Sequence, residues 1–189
     1  MFRILQPAPA VAPLPPDRID PAYKRLRRQV FLGIFIGYAA FYLVRKNFAL
    51  AIPDILKDYP QYSKAALGTA MTGLSIAYGV SKFIMGSVSD RSNPRGFMPI
   101  GLLLSAAVTF AFGTVPGIYG SLYTIIALQT LNGWFNGMGW PPCGKTMVHW
   151  WSTRERGVTV AAWNVAHNVG GGLVAKIAFW GVLLFHDWG

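Results

Sequence analysis

Two adjacent cations, Arg45 and Lys46, interrupt an apolar run that extends from Leu32 to Ile52. Extended forward to residue 30, the run is long enough to cross the roughly 30 Å hydrocarbon core of a bilayer as one helix. A cation inside such a helix costs about 2.5 to 3.5 kcal/mol, so it must face protein, a water-filled cavity or an interface. Arg45 is therefore a candidate binding residue. The role of Lys46 stays open between a contact with a neighbouring helix and one with the interface.

The spacing of two phenols places them beside the first cation. Tyr38, Tyr42 and Arg45 lie at positions i, i+4 and i+7, which share one face of a helix. The next apolar run repeats the pattern, because Lys82 follows Tyr78 by four residues. Counting rise per residue, Arg45 falls in the outer part of its run and Lys82 in the inner part, so the two cations need not contact the same atom. The alternative role for Lys82 is to reach the inner membrane surface through its flexible stem.

A histidine in the last apolar run is a third candidate. His167 follows Trp163 by four residues and Asn164 by three, near the middle of the run. A buried histidine is often a hydrogen-bonded core residue, but at this depth it could also bind a ligand. Lys176 lies nine residues further, on the opposite helical face and nearer the outer end, and no role is assigned to it.

The sign of these charges indicates the sign of the ligand. The apolar runs contain cations, whereas every acidic residue falls in a tail or a link between runs. A proton relay or a structural ion pair would need a carboxylate among them. The missing counter-charge is then supplied by an anionic ligand or by a part of the protein outside this chain. The planar guanidinium of Arg45 can donate two parallel hydrogen bonds to a phosphate group. Lys145 and His149 can reach the inner surface, so no site role is assigned to them.

The composition indicates an integral membrane protein. Hydrophobic residues make up 53% of the 189 residues and charged residues 13%, with a mean hydropathy of +0.37. The net charge of +10 does not indicate nucleic-acid binding, because the cations flank or interrupt apolar runs. The single cysteine, Cys143, excludes an intrachain disulfide and a cysteine-rich metal site. We expect no metal, no cofactor and no cleaved signal peptide.

Five apolar stretches predict five membrane-spanning helices, with a tail in front of them. The tail, residues 1–28, is rich in proline and ends in a basic cluster; residues 29–189 form the membrane unit. The predicted spans cover approximately residues 30–52, 65–88, 97–115, 122–148 and 158–184. The tail and the links at 89–95 and 152–157 are rich in arginine, which predicts a cytoplasmic N-terminus. Pro141 and Pro142 predict a bend in the fourth span.

Four segments carry a resemblance to a known family. They are RKNFALAIPD (Arg45–Asp54), SDRSNPR (Ser89–Arg95), GWFNGMGWPPCGKTMVHWWSTRERG (Gly133–Gly157) and WNVAHNVGGG (Trp163–Gly172). Together they resemble the organophosphate:phosphate antiporters of the major facilitator superfamily, and the resemblance covers nearly the whole chain. It implies an all-α membrane protein of the bacterial inner membrane, which exchanges inorganic phosphate for glycerol 3-phosphate and is not an enzyme.

The resemblance also implies roles for particular residues. Arg45 would grip the phosphate, Lys82 would add positive field, and His167 would join when substrate binds. Six further residues would line the cavity: Tyr38, Tyr42, Tyr78, Trp140, Trp163 and Asn164. The link after the second span resembles the superfamily's cytoplasmic latch, with Gly86, Asp90, Arg91 and Arg95.

The resemblance predicts five of the six helices of an N-terminal half. The chain ends at Gly189, before the sixth helix and the C-terminal half that would supply a second arginine. We therefore expect no transport by this chain alone, with the C-terminal half as a partner. The alternatives are an antiporter for hexose phosphates or phosphoglycerates, and a sensor of phosphate esters. A lipid-phosphate enzyme is the weakest, because no base or nucleophile is evident at the membrane centre.

Overall fold

The computed structural model describes residues 5–6, 12, 14–115 and 117–185. The described residues form α-helices and one 3-10 turn (Ile118–Gly120), without a strand, which confirms the all-α class. The helices are α1 (Pro16–Arg45), α2 (Asn47–Asp58), α3 (Lys64–Asp90), α4 (Pro94–Thr114), α5 (Leu122–Asn136), α6 (Trp140–Trp150) and α7 (Thr153–Phe185).

The first helix begins earlier than the sequence predicts. The composition assigns the basic cluster to a tail ending at residue 28, but α1 starts at Pro16 and carries that cluster on its first turns. Proline suits a first helical position because its missing amide has no partner there, and Asp17 complements the positive end of the helix. The extended form predicted for the proline-rich tail concerns residues that lie mainly outside the described ones.

The first predicted span is two helices rather than one. α1 ends at Arg45 and α2 begins at Asn47, with Lys46 between them at φ −90° and ψ −9°. The backbone hydrogen bonds around this residue are long, at 3.3 Å from Lys46 N to Tyr42 O and 3.3 Å from Leu50 N to Lys46 O. The turn that carries the two adjacent cations is therefore stretched.

The fourth predicted span is also broken, before the prolines that are expected to bend it. α5 ends at Asn136, and α6 begins at Trp140 after Gly137–Gly139. Pro141 and Pro142 occupy the first turn of α6, where a missing backbone donor costs no internal hydrogen bond. The helix is thus interrupted at Gly137–Gly139, and the two prolines lie in the first turn of the helix that follows.

Glycine allows the closest helix contacts. A Cβ on Gly133 of α5 would meet the backbone of Leu74 in α3, and a Cβ on Gly170 of α7 would meet the Ala39 carbonyl in α1. Small residues of this kind let two membrane helices approach each other closely. A Cβ on Gly33 would have no neighbouring atom within 4 Å, so this glycine makes no such close contact.

The helices pack as α3 on α5 and α1 on α7, with α4 and α6 between these pairs. A buried polar network joins α4 to α5, where Asn136 Nδ2 donates to Ser105 Oγ at 2.8 Å and Ser105 Oγ donates to Asn132. By length and composition, two helical stretches of the described residues could cross a membrane: Pro16–Asp58, which contains α1 and α2, and Pro94–Thr114. The bounds of the other three spans stay predictions.

Candidate substrate site

One tyrosine ring brings two cations from separate helices together. The guanidinium carbon of Arg45, the last residue of α1, lies 3.9 Å from the centroid of the Tyr78 ring, and Lys82 Nζ lies 4.3 Å from the same centroid. Arg45 also lies 5.9 Å from the Tyr42 ring centroid, and Lys82 lies 5.9 Å from that of Trp140. The two polar stripes of α1 and α3 thus form one site.

An aromatic chain extends this site to α7. The ring centroids of Tyr38 and Tyr42 are 5.5 Å apart, and the Tyr42 ring is 5.6 Å from the imidazole of His167. His167 is only partly buried. The structure therefore places His167, the third candidate, beside the phenol that also contacts Arg45.

Two of the residues predicted to line the cavity, Tyr38 and Trp163, are buried and pack against each other. The Trp163 ring is 1% exposed, packs on Tyr38 at a centroid distance of 4.4 Å, and donates from Nε1 to the Ile34 carbonyl at 3.2 Å. Tyr38 itself is 6% exposed. In this structure α1 covers the Trp163 ring and accepts the hydrogen bond from its only donor. The place of this ring in a cavity wall stays a prediction.

Asn164 is not brought into the cluster by a hydrogen bond. Its side chain is exposed on α7, next to the buried Trp163, and forms no hydrogen bond to any other described residue. Neighbouring positions on a helix point about 100° apart, so Trp163 and Asn164 cannot share a face. Its predicted contact with substrate stays a prediction.

A cavity of about 520 Å³ opens beside Arg45. Its wall includes Tyr42, Ser75 and Gly171, together with Lys46, whose role the sequence leaves open. The volume falls within the range of small-molecule sites. The helix break at Lys46 thus places two consecutive cations on the wall of the same cavity.

The site carries positive charge without an internal counter-charge. Across the part of the chain that the structure describes, one salt bridge is present, between Arg27 and Glu155. Arg45 and Lys82 consequently have no carboxylate within ion-pair distance among these residues. Aromatic faces stabilise the two cations in part, and an anionic ligand could supply the counter-charge that these residues do not.

The predicted latch residues lie at the end of α3 and the start of α4. Asp90, Arg91 and Arg95 are exposed and form no salt bridge with another described residue. Gly86 has open space where a Cβ would lie. The link is shaped instead by backbone contacts, since Asn93 Oδ1 accepts from Arg95 N at 3.0 Å and Asn93 N donates to Leu5 O at 3.0 Å.

Sequence reasoning misses the residue that holds this link. Lys145 of α6 donates from Nζ to three carbonyls at the C-terminal end of α3: Ser89 at 3.1 Å, Asp90 at 2.8 Å and Ser92 at 3.1 Å. A cation is favourable there because the helix dipole places negative charge at that end. The sequence gives no signal for this contact, because a lysine near the inner surface is indistinguishable from one that extends into water.

Comparison with known proteins defines the class. Residues 34–189 match the family model of the Major Facilitator Superfamily, and the chain belongs to this family. It is a multi-pass protein of the bacterial inner membrane, built from helices that fit an N-terminal half of the fold.

Three relatives of this chain are each more than twice as long as the segment that they share with it. It is 52% identical over its whole length to a glycerol-3-phosphate transporter of Bacillus subtilis, covering 42% of that protein. It is 54% identical over 90% of its length to a glycerol-3-phosphate transporter of Haemophilus influenzae, covering 35% of it. It is also 43% identical over 96% of its length to the membrane sensor protein UhpC of Escherichia coli, covering 40% of it.

Proposed function

We propose that this chain is the N-terminal part of an antiporter that exchanges glycerol 3-phosphate for inorganic phosphate, completed by a C-terminal half. The observation that carries the proposal is the pair of cations, Arg45 and Lys82, that contact one Tyr78 ring without a carboxylate partner among the described residues. Two relatives that cover the chain are named glycerol-3-phosphate transporters, which supports this substrate class.

The geometry supports a division of roles within the site. Arg45 lies at the cavity wall and can donate two parallel hydrogen bonds to phosphate oxygens. Lys82 contributes positive field from its place beside Tyr78. His167 can join a bound phosphate from α7, since it already contacts Tyr42. The buried Trp163 keeps Tyr38 in position between these groups.

Transport needs a second half of the protein. In the proposed mechanism two six-helix halves rock around the central site, with the N-terminus in the cytoplasm and the link at 89–95 latching the cytoplasmic side. Arg45 then faces a second cation supplied by the C-terminal half. This chain alone has no opposing half, so we propose that it does not catalyse exchange.

Replacing Arg45 by lysine tests the proposed grip on phosphate. In a full-length protein that carries this chain, Arg45→Lys keeps the charge but loses the two-point geometry. Because hydrogen bonds to charged groups contribute about 1.5 to 3 kcal/mol, we expect the affinity for phosphate to fall roughly tenfold to a hundredfold. Arg25→Lys, at an exposed position of α1, is the matched control. Equal affinities in the two variants would contradict the proposal.

A sensor is the second candidate, because a relative 43% identical to the chain is named a membrane sensor protein. A sensor would bind a phosphate ester at the same site and signal through a partner without net exchange. Exchange assays of the full-length protein with glycerol 3-phosphate, hexose phosphates and phosphoglycerates show which of these substrates an antiporter would exchange for phosphate. Binding without exchange, together with co-purification of a signalling protein, would favour the sensor.

A further inference from the structure

A second group of cations lies away from the substrate site, on the first turns of α1. Lys24, Arg27 and Arg28 border a cavity of about 560 Å³ between α1 and the start of α7. Apolar side chains form most of the remaining wall: Phe31, Leu32, Trp151, Val158 and Ala162. We call this the α1–α7 groove. It combines a positively charged end with an apolar body.

Aromatic and ionic contacts fix the shape of the groove. Arg27 Nη2 lies 3.0 Å from Glu155 Oε1, and its guanidinium carbon lies 5.3 Å from the Trp151 ring centroid and 5.7 Å from that of Tyr23. The Tyr23 ring stacks on Trp150 and its hydroxyl donates to the Trp150 carbonyl at 2.6 Å. These contacts tie the start of α1 to the turn between α6 and α7.

The other two cations of the groove have no carboxylate partner. Glu155 is engaged by Arg27 and by Ser152, whose Oγ donates to Oε2 at 3.1 Å. Among the residues that the structure describes, neither Lys24 nor Arg28 forms a salt bridge. The groove therefore keeps an excess of positive charge at one end, where an anion can be bound.

The position of the groove favours a lipid over a soluble anion. Its cations immediately precede the predicted start of the first span at residue 30, which places them at the depth of the lipid headgroups. Basic pockets between membrane helices at the cytoplasmic side bind anionic headgroups. A soluble phosphate ester would contact the cations and leave the apolar wall of Phe31 and Val158 uncovered, whereas an acyl chain covers it.

We propose that the α1–α7 groove binds an anionic phospholipid, with its phosphate between Lys24 and Arg28 and an acyl chain against the apolar wall. This binding is separate from the substrate site, because Arg45 and Lys82 do not border the groove. The bound lipid fastens the start of α1 to α7 at the cytoplasmic surface, alongside the contact between Arg27 and Glu155.

Fluorescence quenching by brominated lipids tests the proposal on the complete 189-residue chain. The chain is reconstituted in phosphatidylcholine vesicles that contain either brominated phosphatidylglycerol or brominated phosphatidylcholine at equal fractions. Bromine on an acyl chain quenches tryptophan fluorescence at contact, and Trp151 borders the groove. We expect stronger quenching by the anionic lipid, and Trp151→Phe should remove most of that excess.

Variants that remove cations from the groove test whether the groove causes the preference for phosphatidylglycerol over phosphatidylcholine. In the double variant Lys24→Gln, Arg28→Gln the preference for phosphatidylglycerol should fall roughly thirtyfold, at about fivefold for each cation. The control Arg18→Gln, Arg25→Gln removes the same charge from exposed positions of α1 that do not border the groove. It should retain most of the preference.

Three results would overturn the lipid assignment. Equal losses in the two double variants would reduce the effect to general surface charge. Equal quenching by the two brominated lipids would mean that the groove does not select an anionic lipid. Release of the anionic lipid by added inorganic phosphate or glycerol 3-phosphate would assign the cations to soluble anions. None of these outcomes depends on the substrate site, which Arg45→Lys tests separately.

Discussion

At the scale of single residues, Tyr78 has two cationic neighbours on one ring. Arg45 approaches the ring centroid to 3.9 Å and Lys82 to 4.3 Å. Like charges held at this proximity repel each other, and the electron-rich ring face offsets part of that repulsion. We expect Tyr78 to position both cations for the anion that the proposed site would bind.

Replacing this ring tests its positioning role. In the full-length protein, Tyr78→Leu should lower phosphate-ester affinity about threefold to thirtyfold, because each contact of this kind contributes about 0.5 to 2 kcal/mol. Tyr78→Phe keeps the ring face and should retain the affinity. The measurement is substrate binding by calorimetry. Matching losses in the leucine and phenylalanine variants would point to the hydroxyl instead of the ring face.

We expect Lys145 to contribute to the stability of the fold. Lys145→Met should lower the thermal unfolding midpoint, because three carbonyls at the end of α3 lose a charged donor whose hydrogen bonds contribute about 1.5 to 3 kcal/mol. It should also speed trypsin cleavage after the exposed Arg91. Lys57→Met, at an exposed position of α2, serves as the control. An unchanged midpoint and cleavage rate would mean that water satisfies these carbonyls as well as Lys145 does.

The residues of the site differ in how far the sequence predicts them. The helical period alone predicts that Tyr38, Tyr42 and Arg45 share a face, because their spacing is local. The contact of Lys82 and Arg45 with one ring depends on the relative height of α1 and α3, which no local spacing encodes. The same holds for Lys145, whose partners lie more than 50 positions away.

At the scale of elements, α7 carries three consecutive glycines with different surroundings. A Cβ on Gly170 would meet the Ala39 backbone, whereas Gly172 has nothing within 4 Å. Gly170→Ala should destabilise the protein by about 1 to 3 kcal/mol, because α1 and α7 must move apart. Gly172→Ala should be neutral or stabilising, since alanine favours the helix by about 1 kcal/mol. Thermal unfolding of both variants compares them, and equal shifts would show that helix propensity alone decides.

The contact between α1 and α7 also predicts a pH dependence. Hydrogen bonds from Arg27 and then Ser152 hold the pKa of Glu155 below its usual 4.5. A lowered carboxyl pKa in the folded protein contributes stability above pH 4.5, and this contribution is lost as the pH falls through the lowered value. The thermal midpoint should therefore drop on acidification in wild type and drop less in Glu155→Gln.

An acidic residue without such a partner provides the comparison for Glu155. Asp58 is exposed at the end of α2 and forms no salt bridge among the described residues. Asp58→Asn should leave the acid dependence of the midpoint as in wild type. The same reduction in both variants would show that the dependence comes from overall charge rather than from the contact with Arg27.

The sequence predicts where helices occur better than it predicts where they are interrupted. Apolar length predicts five helical regions, but the start of α1 at Pro16 and the interruptions at Lys46 and at Gly137–Gly139 differ from expectation. Proline is an ambiguous signal, because it bends a helix from within and begins one from its first turn. The tight contact that a Cβ on Gly139 would make with the Phe41 ring is non-local, so the sequence could not place the break there.

At the scale of the whole molecule, the chain is shorter than its relatives. It spans 42% of the length of the Bacillus subtilis glycerol-3-phosphate transporter and 35% of that of the Haemophilus influenzae one. Among the described residues, α1, α3 and α7 form one wall of the proposed site, and Arg45 and Lys46 border its cavity. Alternating access requires two units that rock against each other around a site between them. We expect a single unit to present the cations without being able to close and reopen the site on alternate sides of the membrane.

We therefore predict that the 189-residue chain alone does not exchange phosphate. Proteoliposomes that contain the chain and are preloaded with phosphate should take up labelled glycerol 3-phosphate no faster than vesicles that contain Arg45→Lys or no protein. A full-length protein that begins with this chain should exchange in the same assay, which controls for reconstitution. Uptake by the chain alone that depends on internal phosphate and is lost in Arg45→Lys would show that one half, or an assembly of copies, suffices for transport.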